Sequence, residues 1–321
     1  MQVLVTGGAG FIGSHVTERL LQRGHGVRVV DDLSSGRREN VPQAAEFIQA
    51  SVTDPYACRA AVAGVEAVVH LAAIASVAHS VEQPSVTHEV NLAATIGLAE
   101  AAAAAGVAKI VYASSAAVYG TVEREAHHEH DPVAPITPYA IDKYTGESYL
   151  RFFASEHGLD ARALRFFNVY GPRQLASSPY SGVIARFATA LLSGESVTVF
   201  GDGEQTRDFV YVGDVSAIVA HHVEENAAPG SMRIMNVCNG ARTSLHDLIA
   251  ALAPAIGRTA EIRYQPPRAG DIRHSKGDDG ELRRWLPDRQ CTPLDEGLQR
   301  VVEWMRSDRA DGLEAALTLG S

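Results

Sequence analysis

Tyr139 and Lys143 stand four residues apart in the run PITPYAIDKYTGE. On a helix that spacing puts both side chains on one face, about 5–6 Å apart at Cβ. A free phenol titrates near a pKa of about 10 and is almost wholly protonated at pH 7. A neighbouring ammonium favours the phenolate. Lowering the phenol by ~3 units takes about 4 kcal/mol, which one lysine and a cationic ring could supply in a partly dry cleft. The pair is therefore expected to carry a proton to and from a substrate hydroxyl. Amphipathic helices produce this spacing by chance, so the surrounding elements must decide.

They begin at residue 2. QVLVTGGAGFIGSH reads as a short apolar strand, then Gly7, Gly8, Gly10 and Gly13, then a helix with Phe11, Ile12, Val16, Leu20 and Leu21 at 3–4 spacing. Gly24 ends that helix, and a second apolar stretch, Val27 to Val30, runs into Asp31-Asp32. Glycines let backbone amides approach a pyrophosphate at a helix N-terminus. An acid 18 residues past Gly13 stands where adenosine ribose hydroxyls would be gripped. The spacing is G-x-x-G-x-x-G rather than G-x-G-x-x-G. Asp31 and Asp32 would repel a 2′-phosphate, favouring NAD over NADP, although Arg37 and Arg38 could counter part of that repulsion.

Apolar strands at 2–6, 27–31, 46–49, 66–71, 109–114 and 161–166 alternate with helical stretches near 11–23, 55–63, 84–105 and 137–157. Such alternation predicts an α/β fold with a doubly wound parallel sheet. Residues 1–169 should form the dinucleotide-binding domain, with a returning segment near 209–225. Residues 170–321 should form a smaller, mainly substrate-binding α/β part.

A chain of 321 residues with 46% apolar and 21% charged residues belongs with ordinary soluble globular proteins. A net charge of −10 without a basic stripe argues against a nucleic-acid partner. No uncharged apolar run reaches the ~18 residues of a membrane span. A strand starting at residue 2 leaves no signal peptide to expect, and Cys58, Cys238 and Cys291 form neither a C-x-x-C site nor an even disulfide set. These features predict a cytoplasmic setting. His127, His128 and His130 lie in a polar, proline-bounded run that is not expected to bind metal. His70 is expected to pack at a strand end beside the cofactor, Ser114 to be structural, and Trp285 and Trp304 to belong to the core.

Strand KIVYA delivers Ser114-Ser115 to its C-terminal end, and Tyr139 and Lys143 follow within thirty residues. Ligands bind outside such strand ends. A hydroxyl that orients, a phenol that exchanges the proton and an ammonium that keeps it acidic form a self-consistent set. TGGAGFIGSH, VVHLAA, YASSAAVYG, PYAIDK, RFFNVYGPRQ, FGDGEQTRDFVYVGDV and RAGDIRHS together resemble the extended short-chain dehydrogenase/reductase family. Within it they look most like the branch of UDP-glucose (UDP-galactose) 4-epimerases, and the resemblance runs from residue 2 to about 305.

That resemblance implies a Rossmann-like fold and specific roles. Gly7, Gly10, Phe11, Ile12 and Gly13 match the dinucleotide loop, Asp31 the ribose-binding acid, and Ser51 and Val52 the adenine side. Leu71 and Ala72 match further cofactor contacts, Asn91 and Phe166 the nicotinamide side, and Ser115, Tyr139 and Lys143 the catalytic trio. Asn168, Val199, Arg207, Arg268, Asp271 and Ser275, with Ser115 and Tyr139, match the substrate side. The arginines suit phosphate because a planar fork binds its oxygens bidentately. The implied reaction is redox-neutral inversion of C4 of a UDP-hexose through a 4-keto sugar, by a homodimer built on helices near 84–105 and 137–157.

The chain also departs from the family. Ala50-Ser51-Val52 replaces a G-D-[VIL] run, which should weaken NAD binding without abolishing it. Ala116-Ala117 stands where related 4,6-dehydratases carry an Asp-Glu pair, which argues against water elimination. Ser275 leaves room for an N-acetyl group at the sugar's C2. Two rivals remain: a UDP-glucuronate epimerase or decarboxylase, for which Arg186 is the candidate cation near C5, and a non-catalytic NAD-binding regulator.

Overall fold

The computed structural model describes residues 1–122, 124–175, 182–267 and 272–319, with side chains through 308. Seven strands form the main sheet: β1 (Gln2–Thr6), β2 (Gly26–Asp31), β3 (Glu46–Gln49), β4 (Ala67–His70), β5 (Lys109–Ser115), β6 (Asp160–Phe166) and, much later in the chain, Met232–Val237. Their spatial order from that last strand is β6-β5-β4-β1-β2-β3, and every pairing is parallel. From β1 the chain winds out through β2 and β3, then crosses back to place β4 on β1's other side. A crevice opens at that reversal, outside the C-terminal strand ends. Thr6 pairs with both Val30 and His70 there, and Ser115 with Phe166.

Both sheet faces are covered, which is why the strands read as nearly continuous Val, Ile and Ala. On one face, helix α1 (Phe11–Gln22) packs Val16 and Leu20 beside Val215, Ile218 and Val219 of residues 212–224. On the other lie α2 (Pro55–Val62), the short helices α3 (Val77–Glu82) and α4 (Pro84–His88), α5 (Ala94–Ala104) and α6 (Pro138–His157). Ala61, Val62, Leu98, Ala102, Leu150 and Phe153 seal that side. Thr137 caps α6 by accepting from the Ala140 amide, Pro138 stands in its first turn, and Gly158 ends it in the left-handed conformation (φ 72°).

The second half supplies three small strand pairs. β7 (Asn168–Tyr170) pairs with β10 (Phe209–Tyr211), β8 (Val197–Phe200) with β13 (Ile262–Gln265), and β9 (Thr206–Arg207) with β12 (Thr243–Ser244). Helices α7 (Val183–Ser193), α9 (Leu245–Ile256) and α11 (Leu294–Leu319) close around Phe187, Leu191, Leu248, Leu252 and Val302. Helix α8 (Val212–Glu224) returns to lie on α1, and α10 (Gly280–Trp285) packs beside β11 (Met232–Val237).

Two features depart from the sequence expectation. β11 (MRIMNV) is a full strand of the main sheet, paired along β6 from Met232↔Ala161 to Val237↔Phe166, rather than part of the substrate region. Its alternating pattern fixes a strand but not which sheet it joins. The stretch 84–105 is helical as expected but not uniformly α: α4 gives way to a π-helical turn, Glu89–Ala93, before α5. Such turns widen a helix locally, and this one carries Asn91.

Candidate active site

Gly7 has φ +71°, and a Cβ there would lie 2.8 Å from the Ala72 nitrogen. At Gly13 a Cβ would fall 2.0 Å from the Gly7 carbonyl oxygen. Glycine at both positions is what lets the loop fold tightly under the first turn of α1. Gly10 caps that helix without a side-chain hydrogen bond, leaving its amides for an anion. Phe11 is edge-on to His15, and Ile12 packs between two cores.

Asp31 ends β2. One carboxylate oxygen accepts from the Ala9 amide at 3.0 Å and the other from Leu33 at 2.8 Å. Burial raises its pKa, and these amide bonds pull the other way. The same acid that could grip a ribose therefore also ties down the glycine loop. Arg37 and Arg38 are committed elsewhere: Arg37 donates to Asp308 at 2.8 Å, and the Arg38 guanidinium lies 4.6 Å over the Phe47 ring. The Asp31-Asp32 pair keeps its NAD-favouring field. Ser51 spends its hydroxyl on a local turn, bonding the Thr53 hydroxyl at 2.9 Å, and Val52 is buried.

Beyond β4, the Leu71 and Ala72 amides donate to the Thr6 hydroxyl oxygen at 3.2 and 3.3 Å. Buried Asn91 holds the next stretch with two bonds, accepting from the Ile74 amide at 2.8 Å and donating to its carbonyl at 3.1 Å. Phe166 is buried at the end of β6, and exposed Asn168 follows on β7.

Ser115 ends β5, accepts from the Ala117 amide at 3.2 Å and hydrogen-bonds the Tyr139 phenol. Lys143 is buried, donates to the Ala113 carbonyl at 2.7 Å, and has its ammonium 4.8 Å from the Tyr112 ring centre and 6.0 Å from that of Tyr139. The trio converges as the spacing predicts. The electrostatics differ from the expectation of an acidified phenol: burial pushes the Tyr139 pKa up, and the Ser115 bond only partly opposes it. Burial lowers the Lys143 pKa as well, to about 8, and its ammonium is hydrogen-bonded to the Ala113 carbonyl.

The substrate side is tied to this cleft through the backbone. The Asn168 amide donates to the Asp208 carbonyl at 3.0 Å, so half-buried Arg207 is only one residue removed. The Ser275 amide donates to the Thr206 carbonyl at 3.1 Å, which sets half-buried Ser275 beside β9. Val199 is a correction: its side chain is wholly enclosed in the core and offers a substrate no surface, whereas strand alternation turns Thr198 and Phe200 outward. Arg268 and Asp271 lie outside the described residues.

A model of the NAD dependent epimerase/dehydratase family matches residues 3–238. The chain belongs to that family. The UDP-glucose 4-epimerase of Mycolicibacterium smegmatis is 42% identical, over 96% of this chain and 99% of its own. A UDP-glucose 4-epimerase of Thermotoga maritima, crystallised with UDP-glucose, is 40% identical with a TM-score of 0.91, covering 96% of this chain and 99% of its own. That of Thermus thermophilus, crystallised with NAD, is 38% identical with a TM-score of 0.88, covering 95% and 99%. The glycine cradle and the undisturbed acidic pair fit NAD, the cofactor of this epimerase family.

Sequence reasoning placed Ser114 and His70 in structural roles but missed the ion pair that holds this epimerase-family site in place. Arg165 and Glu147 form a buried, two-pronged ion pair behind the trio, and Ser114 donates to Glu147. His70 sits between the Thr6 and Thr95 hydroxyls. Only the buried charges within RALRF and KYTGES hinted at the first pair. The remaining extras fall in packing roles: His127 stacks on Tyr119 at 4.5 Å, Trp285 on His222 at 3.8 Å, and Trp304 packs against the α7–α9–α11 core.

Proposed function

We propose that this chain is a UDP-glucose 4-epimerase, an isomerase that inverts C4 of a UDP-hexose using retained NAD. The observation that carries the reading is the convergence of Ser115, Tyr139 and Lys143 at the C-terminal end of β5, beside the glycine cradle of β1. NAD supplies reversible hydride acceptance at C4 and, when oxidised, the positive charge that burial denies the Tyr139 phenol. Tyr139 takes the C4 hydroxyl proton and later returns it. Ser115 holds the C4 oxygen, and the Lys143 ammonium stabilises the phenolate. The proton leaves the C4 oxygen and returns to it, while the hydride leaves C4 and returns to its opposite face, so no net oxidation occurs.

Gly7, Gly10, Phe11, Ile12 and Gly13 would line the pyrophosphate, Asp31 the ribose, Ser51 and Val52 the adenine, and Leu71, Ala72, Asn91 and Phe166 the nicotinamide. Arg207, Arg268, Asn168 and Asp271 would hold the UDP, so that binding energy far from C4 retains the keto sugar while it turns over. The test is incubation with UDP-galactose, with products read by NMR and absorbance followed at 340 nm. UDP-glucose should form with no net NADH. Steady NADH, or no interconversion, overturns the reading. UDP-glucuronate in the same panel addresses a carboxylated substrate, with Arg186 in the first turn of α7.

Ser275 leaves the C2 side open, so UDP-N-acetyl-hexoses should also turn over. Ser275→Tyr should cut that turnover roughly tenfold or more while changing UDP-galactose turnover only a few-fold. Equal losses on both substrates would remove Ser275 from the C2 side.

The helical face opposite the sheet supports a homodimer, and the free cysteines Cys58, Cys238 and Cys291 fit a reducing, cytoplasmic setting. Val81 of α3 is 60% exposed, and Ile141 and Phe152 of α6 are 47% and 50% exposed, with Val86 of α4 alongside. Single apolar residues are common on surfaces, but a stripe along adjoining helices supports reading this face as an interface. Sedimentation should give twice the 34.2 kDa chain mass. No helix among the described residues is long and apolar enough to cross a membrane.

A further inference from the structure

His70 lies at the end of β4, buried, with both ring nitrogens bonded. The Thr95 hydroxyl gives its proton to the Asn91 carbonyl at 2.7 Å, so toward His70 it can only accept. The His70 Nε2, 2.9 Å from that oxygen, must therefore carry the ring proton. Nδ1 is then bare and accepts from the Thr6 hydroxyl at 2.7 Å. That leaves the Thr6 oxygen free for the Leu71 and Ala72 amides, which it accepts at 3.2 and 3.3 Å. The ring proton and both hydroxyl protons then have acceptors, which the other tautomer does not allow, and the Leu71 amide is shared with the Thr6 carbonyl at 3.2 Å. The His70 ring also stacks on Tyr112 (5.7 Å between centres, 27° between planes), and the Lys143 ammonium lies 4.8 Å from the same Tyr112 ring.

We propose that His70 is a positioning residue: its neutral Nε2–H tautomer ties the dinucleotide loop to the Asn91 turn and, through Tyr112, sets the seat of the Lys143 ammonium. One ring thereby holds both halves of the site, the 71–74 stretch that lies against Gly7 and the lysine beneath the phenol. Burial and the nearby Lys143 charge lower the His70 pKa to about 3, so the neutral form persists throughout the working pH range. His70 touches neither substrate nor reacting atoms in this role.

The test uses the NAD-loaded enzyme. Thr95→Val keeps the side chain's shape but removes the hydroxyl link. It should lower kcat about 10- to 100-fold, the scale of a small misplacement at a reacting centre, with KM for UDP-galactose within about twofold. It should also release NAD faster on gel filtration. Thr95→Ser, which restores the hydroxyl, should recover most of the lost turnover. His70→Phe keeps the stacked ring and loses both hydrogen bonds. It should repeat the kcat loss, and it stands in should Thr95→Val fail to fold. If folded Thr95→Val or His70→Phe turns over and retains NAD like the wild type, with only the unfolding midpoint lowered, His70 is a core residue and the proposal falls. A wild type that fails to interconvert UDP-galactose and UDP-glucose would instead refute the reaction itself.

Discussion

Tyr139→Phe should abolish nearly all epimerisation, lowering kcat about 10²- to 10⁴-fold. The substitution removes one oxygen and little else. The ring keeps its place at the start of α6, and the hydrogen bond with Ser115 is the polar interaction lost. Because the UDP would be held by Arg207, Arg268 and Asn168, KM should change only a few-fold. Such a split marks an interaction made in the transition state rather than in binding. A loss of 10²- to 10⁴-fold is about 3–5 kcal/mol, consistent with the removal of a proton acceptor. Steady-state kinetics with UDP-galactose check it, with NAD content measured on the same sample. A variant within tenfold of wild type would show that the C4 proton goes elsewhere.

The same geometry gives a sign for the pH dependence. Burial lowers Lys143 from its ordinary value to about 8, so the ammonium is present below that pH and lost above it. Since the phenol is itself pushed up by burial, stabilisation of the phenolate falls away as Lys143 deprotonates. kcat/KM should therefore decline as pH rises through about 8.

The site was legible where local chemistry dictates it. A glycine that must have positive φ, an acid at a strand end and two side chains one helical turn apart are properties of short segments, and Gly7, Asp31 and the 139–143 pair lie where the spacing puts them. Long-range partners were not legible. Arg37 and Arg38 look like a phosphate-binding pair until Asp308 and Phe47, far along the chain or on a neighbouring strand, engage them. Val199 sits in an apolar strand whose inward face only the partner β13 and the surrounding helices determine. The sign of the Tyr139 shift depends on how deeply α6 settles on the sheet, and no pattern in α6 itself records that depth. β11 was obscured for the same reason, since its edge position is fixed by β6, some seventy residues earlier.

The depth of α6 leads to the second large effect, that of Glu147→Gln. Glu147 follows Lys143 by one helical turn, and both it and Arg165 are only 2% exposed. Arg165 donates to the two carboxylate oxygens at 2.9 and 2.8 Å and to the Glu129 carbonyl at 3.2 Å, and its guanidinium lies 4.9 Å from the Tyr119 ring centre. Ser114, the residue before catalytic Ser115, donates to the same carboxylate. Burying two charges is costly, and their attraction does little more than offset it. Removing one charge is far worse, because a guanidinium is left buried without a counter-ion. Glu147→Gln keeps the volume and one acceptor yet should destabilise the protein by about 3–5 kcal/mol in urea unfolding. Pairing it with Arg165→Met should recover much of that loss, because the orphaned charge goes with it. Activity should not recover in parallel. The pair sets the register of α6 on β5 and β6, and so the distance from Tyr139 to Ser115, which an apolar contact would leave looser. A single variant within about 1 kcal/mol of wild type would mean that solvent reaches Arg165 and that the pair does not fix the helix.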